Sequence, residues 1–145
     1  MTQNKTNRRE TLAGIAVVAS LATTKGWAMT QDQEQTLSAA FDLEEIARLN
    51  AASDGPWFQF FDNNTMFSGL YEIPAGGEDR QNPHRVDELY FVTKGKAALV
   101  ADDKRYPAKP GSIFFVKADV AHKFVDVEED LQVLVFFSKA DPNGA

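Results

Sequence analysis

Histidine and carboxylate side chains are the residues of this chain whose spacing points to chemistry. The chain has only two histidines and no cysteine, so a metal site would have to use imidazole, carboxylate, amide or water ligands. One histidine, His84, stands four residues before Glu88, and the other, His122, lies much later in the chain. With so few imidazoles, a site that contains histidine can be assembled in very few ways.

The spacing of His84 and Glu88 would place both side chains on one face of a helix. However, the segment 89–93 favours a strand, and no second histidine completes a helical zinc motif. Along a straight strand the two residues would be about 13 Å apart, too far to share an ion that sits about 2 Å from each ligand. We therefore expect the chain to turn at residues 85–87, with His122 arriving from a later strand.

The elements that must position these residues are mostly strands. A short helix is predicted first, capped by Asp42, with Glu45 three residues on and an end at Gly55-Pro56. Its apolar stripe comprises Leu43, Ile46 and Leu49. Short aromatic and β-branched runs separated by turn residues then predict eight strands. They lie at about 57–61, 65–73, 77–84, 88–93, 97–101, 112–116, 122–127 and 130–138. This pattern favours an all-β sandwich or jelly-roll barrel.

Two sequence motifs surround these candidate residues. The first runs from Gly76 through five residues to Asn82-Pro83-His84, then three residues to Glu88 and six to Gly95. It resembles the first motif of the cupin superfamily, except that Asn82 replaces the first histidine. The second motif aligns Gly111 and His122 with cupin positions but lacks the usual Pro, Gly and Asn, and 15 residues separate Gly95 from Gly111. The resemblance covers about residues 57–138 and implies a cupin jelly-roll β-barrel, so the predicted fold is all-β with the short N-terminal helix described above.

Carried over position by position, the resemblance implies that His84, Glu88 and His122 bind a divalent transition metal. Two imidazoles and one carboxylate suit Fe(II), and Mn, Ni or Zn are also expected ions. Asn82 could supply an amide oxygen as a fourth ligand. Gln81 is one residue out of register but has a longer reach, and it is the alternative to Asn82.

Other side chains near these motifs have two interpretations each. Tyr71 and Tyr90 are candidate catalytic residues that would donate protons or orient a substrate, or else they fill the core. Arg80 and Arg85 flank the turn and could clamp a carboxylate substrate, or else they are solvated. The acidic run at 126–130 is expected to be a solvated turn.

The three candidate ligands also have explanations without a metal. His84 could be a surface histidine after a proline, Glu88 a solvated carboxylate, and His122 a residue bonded to a backbone carbonyl. The barrel interior would discriminate between the interpretations. Convergence of the tyrosines and amides on the site favours catalysis, whereas filling by Phe and Val favours a vestigial barrel.

Composition bounds the remaining possibilities. The chain has 145 residues, of which 43 % are hydrophobic and 25 % charged, as expected for one globular domain. Its net charge of −6 gives no electrostatic attraction to phosphate backbones or anionic lipids, so nucleic-acid binding is disfavoured.

Residues 1–28 are predicted to be a signal peptide. Basic residues precede an uncharged run of 14 residues, 11–24, which is too short to span a bilayer as a helix, and small residues suit cleavage after Ala28. Arg8-Arg9 with Leu12 resembles a twin-arginine export signal, although Thr11 stands where Phe is commoner. An ordinary Sec signal and an uncleaved anchor are the alternatives. Cleavage would leave a leader and helix at 29–56, the barrel at 57–138 and a tail at 139–145.

Two functional classes follow. One is an exported metalloenzyme that acts on a small oxygen-bearing substrate, with dioxygenase-like, decarboxylase, isomerase and lyase chemistry all open. The other is a non-catalytic periplasmic cupin that binds or stores a small ligand or metal. The resemblance also implies a homodimer, and no stable membrane span is expected after processing.

Overall fold

The computed structural model describes residues 38–140, which form one helix followed by six strands. The signal peptide and most of the leader and tail predicted above lie outside these residues. The elements are α1 (Leu43–Ala51), β1 (Trp57–Asp62), β2 (Met66–Ile73), β3 (Glu88–Ala101), β4 (Lys104–Ala108), β5 (Ile113–Val116) and β6 (His122–Ser138). Within residues 38–140, no helix is both long and apolar enough to cross a bilayer.

Helix α1 begins as its sequence predicts. The side chain of Asp42 accepts a hydrogen bond from the backbone N–H of Glu45 at 2.9 Å, which satisfies one of the donors that a helix start leaves unpaired. Arg48 in the last turn pairs with the Glu45 carboxylate at 2.6 Å. Ile46 is buried against β1 and β2, so the helix covers one part of the outer sheet face.

The strands form one antiparallel sheet in the order β1-β2-β6-β3-β4, with β5 also paired to β3. The long strands β3 and β6 are its spine, and their register shifts three times between Val92 and Ala98. Gly95 lies inside this irregular segment with a φ of +92°, a conformation that residues with a Cβ rarely adopt. Such bulges bend a strand, and here they let the sheet curl around one core.

The inner face of the sheet holds that core. Its fully buried members come from both halves of the two long strands: Tyr90, Val92, Leu99, Phe124, Leu131, Val133 and Val135. A second, smaller cluster lies between α1 and the outer face, where Ile46 packs with Phe60 and Leu70. The barrel therefore has one apolar core inside and one outer patch that the helix covers.

The structure confirms the all-β jelly-roll class and the short helix, but it corrects the strand list. Residues 77–84 form no strand, because the polar run 78–83 contains no apolar alternation and Pro83 lacks a backbone donor. The runs 88–93 and 97–101 are one strand, as are 122–127 and 130–138. The strand β4 was not predicted, because its sequence Lys-Arg-Tyr-Pro-Ala has no apolar alternation and contains a proline.

Candidate metal centre

Curling of the sheet brings together residues that lie far apart on it. Glu88 opens β3 opposite Phe137, whereas His122 opens β6 opposite Ala101, so the two stand at opposite ends of the same ladder. On a flat sheet these ends would be about 40 Å apart. In the structure the Glu88 Oε1 lies 2.9 Å from the His122 Nε2.

His84 completes the group from the segment between β2 and β3. Its Nδ1 lies 3.2 Å from the same Glu88 oxygen. The ligand atoms of His84, Glu88 and His122 all lie within 4.8 Å of one another. Ligands about 2 Å from one ion are separated by about 3 to 4 Å, so the donor set and its spacing fit a divalent transition metal.

Neighbouring groups fix the orientation of two of the three side chains. The His122 Nδ1 lies 2.8 Å from the carbonyl oxygen of Val120. Because a carbonyl only accepts, this nitrogen carries the proton and the Nε2 faces Glu88. The other oxygen of Glu88, Oε2, accepts a 2.7 Å hydrogen bond from the Tyr90 hydroxyl. Such outer partners hold metal-ligating side chains in a productive orientation.

The charges of the group are balanced internally. Burial raises the pKa of Glu88, but hydrogen bonds from His122, His84 and Tyr90 outweigh it and bring the pKa to about 2. Burial lowers the pKa of His122, and the bond to Glu88 reverses this, so that the pKa is raised overall. Burial and the adjacent Glu88 charge raise the pKa of Tyr90. Tyr90 is therefore a protonated hydrogen-bond donor at neutral pH, and no base.

A second carboxylate, Asp79, organises the segment that carries His84, and the sequence analysis missed it. Asp79 is buried and accepts bonds from the Tyr71 hydroxyl at 2.7 Å and the backbone N–H of Phe124 at 2.7 Å. It also accepts from the backbone and side-chain amides of Gln81, at 3.0 and 2.8 Å. Asp79 thus ties the loop to β2 and β6 in place of a strand ladder.

The predicted accessory residues lie at different distances from the three candidate ligands. Gln81 lies close to the centre, with its Oε1 3.1 Å from the Tyr90 hydroxyl. Tyr71 is one step further away, since it bonds to Asp79, and burial raises its pKa. Asn82 is exposed. Of the two amides, Gln81 is therefore the one beside the candidate ligands.

A cavity of about 350 Å³ adjoins the group, and His84 forms part of its wall. The His84 side chain is 34 % exposed, whereas those of Glu88 and His122 are at most 1 % exposed. Phe124, Val135 and Phe137 are buried in the core behind the site. The barrel thus combines polar groups that converge on the site with apolar side chains that fill much of the interior.

Comparison with known proteins gives consistent results. The model of the cupin domain family matches residues 69–137, which include all three candidate ligands. The uncharacterized protein SCO3923 of Streptomyces coelicolor is 46 % identical over 99 residues, which are 68 % of this chain and 94 % of that one.

Solved structures share the fold at low sequence identity. TT1209 of Thermus thermophilus aligns with a TM-score of 0.59 at 20 % identity, over 70 % of this chain and 97 % of that one. An RmlC-like cupin of Shewanella frigidimarina aligns with a TM-score of 0.55 at 21 % identity, over 61 % and 81 % of the two chains. These likenesses establish the architecture.

Proposed function

We propose that this chain, which belongs to the cupin superfamily, is an exported metalloenzyme that acts on a small oxygen-bearing substrate. The observation that carries the proposal is the convergence of His84, Glu88 and His122 within 4.8 Å beside a cavity. His84 and His122 would hold the ion through ring nitrogens, and Glu88 through Oε1. Iron, manganese, nickel or zinc bound there would supply a Lewis acid or an oxygen-binding centre.

The remaining residues orient and donate hydrogen bonds. Tyr90 holds the Glu88 carboxylate through Oε2, and its raised pKa keeps the hydroxyl protonated for this bond. Gln81 reaches the same hydroxyl and is the nearer candidate for a fourth ligand or a substrate contact. Tyr71 lines the cavity and is a second hydroxyl close to a bound substrate.

A non-catalytic binding or storage cupin is the second candidate. The observation in its favour is that the apolar side chains of Val135 and Phe137 form part of the cavity wall. In this case the barrel would hold an ion or small molecule without turning it over. Turnover screening of the metal-loaded protein separates the two classes.

Metal content is the first test. The chain from residue 29, purified without chelator or nickel resin, is analysed for metals beside the double variant His84→Ala, His122→Ala. Near-stoichiometric iron, manganese, nickel or zinc that is lost in the double variant supports the proposal. A wild-type protein that neither retains metal nor takes it up on titration would sink it.

A pair of amide variants assigns the fourth position. Gln81→Ala should weaken metal retention, whereas Asn82→Ala, at an exposed neighbour, should leave it unchanged. The reverse result would assign the amide role to Asn82 instead.

We also propose export through the twin-arginine pathway, on the sequence of residues 1–28. Replacing Arg8 and Arg9 by Lys should retain the precursor in the cytoplasm. Cell fractionation measures this outcome. Unchanged export of the Lys variant would leave the ordinary Sec route as the explanation.

We further propose that two copies pair through the outer face of β3 and β5. Four large apolar side chains there, Leu89, Phe91, Ile113 and Phe115, are between 36 % and 63 % exposed. Leu89 lies opposite Phe115 and Phe91 opposite Ile113, so they form one patch beside the region that α1 covers. At about 200 Å² for each fully exposed side chain, the patch presents roughly 400 Å², about half of what one partner buries in a stable dimer.

A second copy is the occupant that suits this patch. The sequence 29–37 is dominated by polar residues and offers little apolar surface to cover it. A two-fold dimer instead places the same apolar patch on both partners. Light scattering should report a dimer for the wild type and a monomer for Phe115→Lys. Tyr106→Lys, at an exposed aromatic outside the patch, is the control and should stay dimeric. A monomeric wild type would overturn the pairing.

A further inference from the structure

We infer that the cavity beside His84 binds a small aromatic carboxylic acid, with its ring against Trp57 and Phe67 and its carboxylate towards Arg80 and His84. This inference rests on the proposed function, because it names the substrate class of the same site. The cavity is lined by Pro56, Trp57, Phe67, Tyr71, Arg80, Gln81, His84, Val135 and Phe137. Four of these nine residues carry Phe, Tyr or Trp rings, and the polar ones come from the loop before β3.

The aromatic side chains form one continuous wall. The rings of Phe67 and Phe137 are stacked with centroids 4.5 Å apart, and Trp57 meets Phe137 edge-on at 5.8 Å. Flat faces and edges of this kind favour another planar ring over a puckered aliphatic one, because offset stacking and edge contacts add to the burial of apolar area. The wall therefore selects for planarity as well as for apolar character.

The polar groups lie at one side of this wall. His84 meets the edge of Phe137 with ring centroids 4.9 Å apart, so the candidate metal ligand touches the aromatic surface directly. The nearest carboxylate to Arg80 is that of Glu78, at 3.4 Å, and both side chains are highly exposed. Such a surface pair contributes little stability, which leaves the Arg80 guanidinium available to a ligand carboxylate.

The volume restricts the size of the ligand. At about 350 Å³ the cavity lies near the lower end of the range for small-molecule sites. One ring with a short acidic substituent suits this space.

Trp57 can occupy its position in the aromatic wall because residue 69 is a glycine. A Cβ at position 69 would lie 2.2 Å from the Trp57 ring, so the indole packs directly on the backbone of β2. In Gly69→Ala the indole has to move, and the wall loses one of its sides. The position of Trp57 also makes it a reporter, because the other tryptophan, Trp27, is absent from a chain that starts at residue 29.

Titration of Trp57 fluorescence tests the inference. Benzoate is compared with cyclohexanecarboxylate, which keeps the charge but not the planar ring, and with benzamide, which keeps the ring but not the charge. We expect benzoate to bind roughly tenfold more tightly than either, and Gly69→Ala to weaken it. Equal affinities for the three compounds, or no response to benzoate, would overturn the inference.

A pair of arginine variants assigns the charged contact. Arg80→Gln should weaken benzoate binding roughly tenfold, as expected for the loss of one charge-assisted contact. Arg85→Gln is the control, since Arg85 is exposed and is not part of the cavity wall. Equal effects of the two substitutions would refute the role of Arg80.

Metal content is measured on the same samples, so the two proposals fail separately. Protein that holds metal but does not discriminate between the three compounds overturns the aromatic-acid inference and leaves the metal site standing. Protein that discriminates but neither retains nor takes up metal overturns the metalloenzyme and leaves the aromatic-acid site standing.

Discussion

Replacing Asp79 by Ala should destabilise the protein by about 3 kcal/mol and should loosen the candidate metal centre. The carboxylate accepts four hydrogen bonds from three separate segments, the donors being Tyr71, Phe124 and two groups of Gln81. The Phe124 N–H is buried, and leaving it unpaired costs about 1 to 3 kcal/mol. The Tyr71 bond adds about 1 kcal/mol, while the Gln81 donors can turn to water.

Urea denaturation of the metal-free protein measures the stability effect. Metal affinity is the second readout, and we expect a loss of roughly tenfold, because Asp79 docks the loop that carries His84 and so helps to position that side chain. The matched control is Glu78→Ala, at the exposed neighbouring carboxylate, which should change stability by less than about 0.5 kcal/mol. If Asp79→Ala costs less than about 1 kcal/mol, Asp79 does not anchor the loop and the reasoning is wrong.

Three further predictions concern the bulge and the site. Gly95→Ala should destabilise the protein by about 3 kcal/mol or more, as measured by urea denaturation. The φ of Gly95 is +92°, and a Cβ there would lie 2.3 Å from the Asp130 carbonyl oxygen. Tyr90→Phe should cost about 2 kcal/mol by the same assay, since it leaves the buried Glu88 oxygen without its donor. Stability of the metal-free protein should peak between pH 4.5 and 6.5, as the opposite pKa shifts of Glu88 and His122 require.

The direction in which stability changes with pH follows from the pKa shift of each group. The lowered pKa of Glu88 contributes stability that is present above its ordinary value of 4.5 and is lost as the pH falls towards about 2. The raised pKa of His122 contributes stability that is complete below 6.5 and is lost as the pH rises through the folded value. Higher stability in alkali than at mildly acid pH would contradict this expectation.

The control for Gly95→Ala is Gly55→Ala, since a Cβ at position 55 would meet nothing within 4 Å.

Local signals in the sequence were sufficient for the start of the helix and for the location of most strands, but α1 ends at Ala51 and not at the predicted Gly55-Pro56. Asp42 and Glu45 are three residues apart, and the capping bond forms between them as predicted. The turn at 85–87 was also predictable, since a straight strand could not bring His84 near Glu88. These inferences hold because each depends on neighbouring residues alone.

What the sequence could not supply depends on contacts between distant segments. Asp79 looks like any solvated loop carboxylate, and its partner Phe124 lies 45 residues away. The choice between Gln81 and Asn82 likewise depends on how the loop docks. Strand parity left open which Phe side chains face inward, and the structure places Phe124 in the barrel core but Phe60 under the helix.

The three candidate ligands are held with unequal rigidity, because only His84 lies in the loop at 74–87. Glu88 and His122 belong to the longest strands, whereas His84 is held by a loop docked through isolated bonds, such as that from the Asp119 N–H to the His84 carbonyl oxygen at 2.7 Å. Segments with few ladder bonds open locally at lower free energy than whole sheets unfold. An ion at this centre would therefore exchange through excursions of the loop, while the barrel stays intact and keeps the two buried ligands in register.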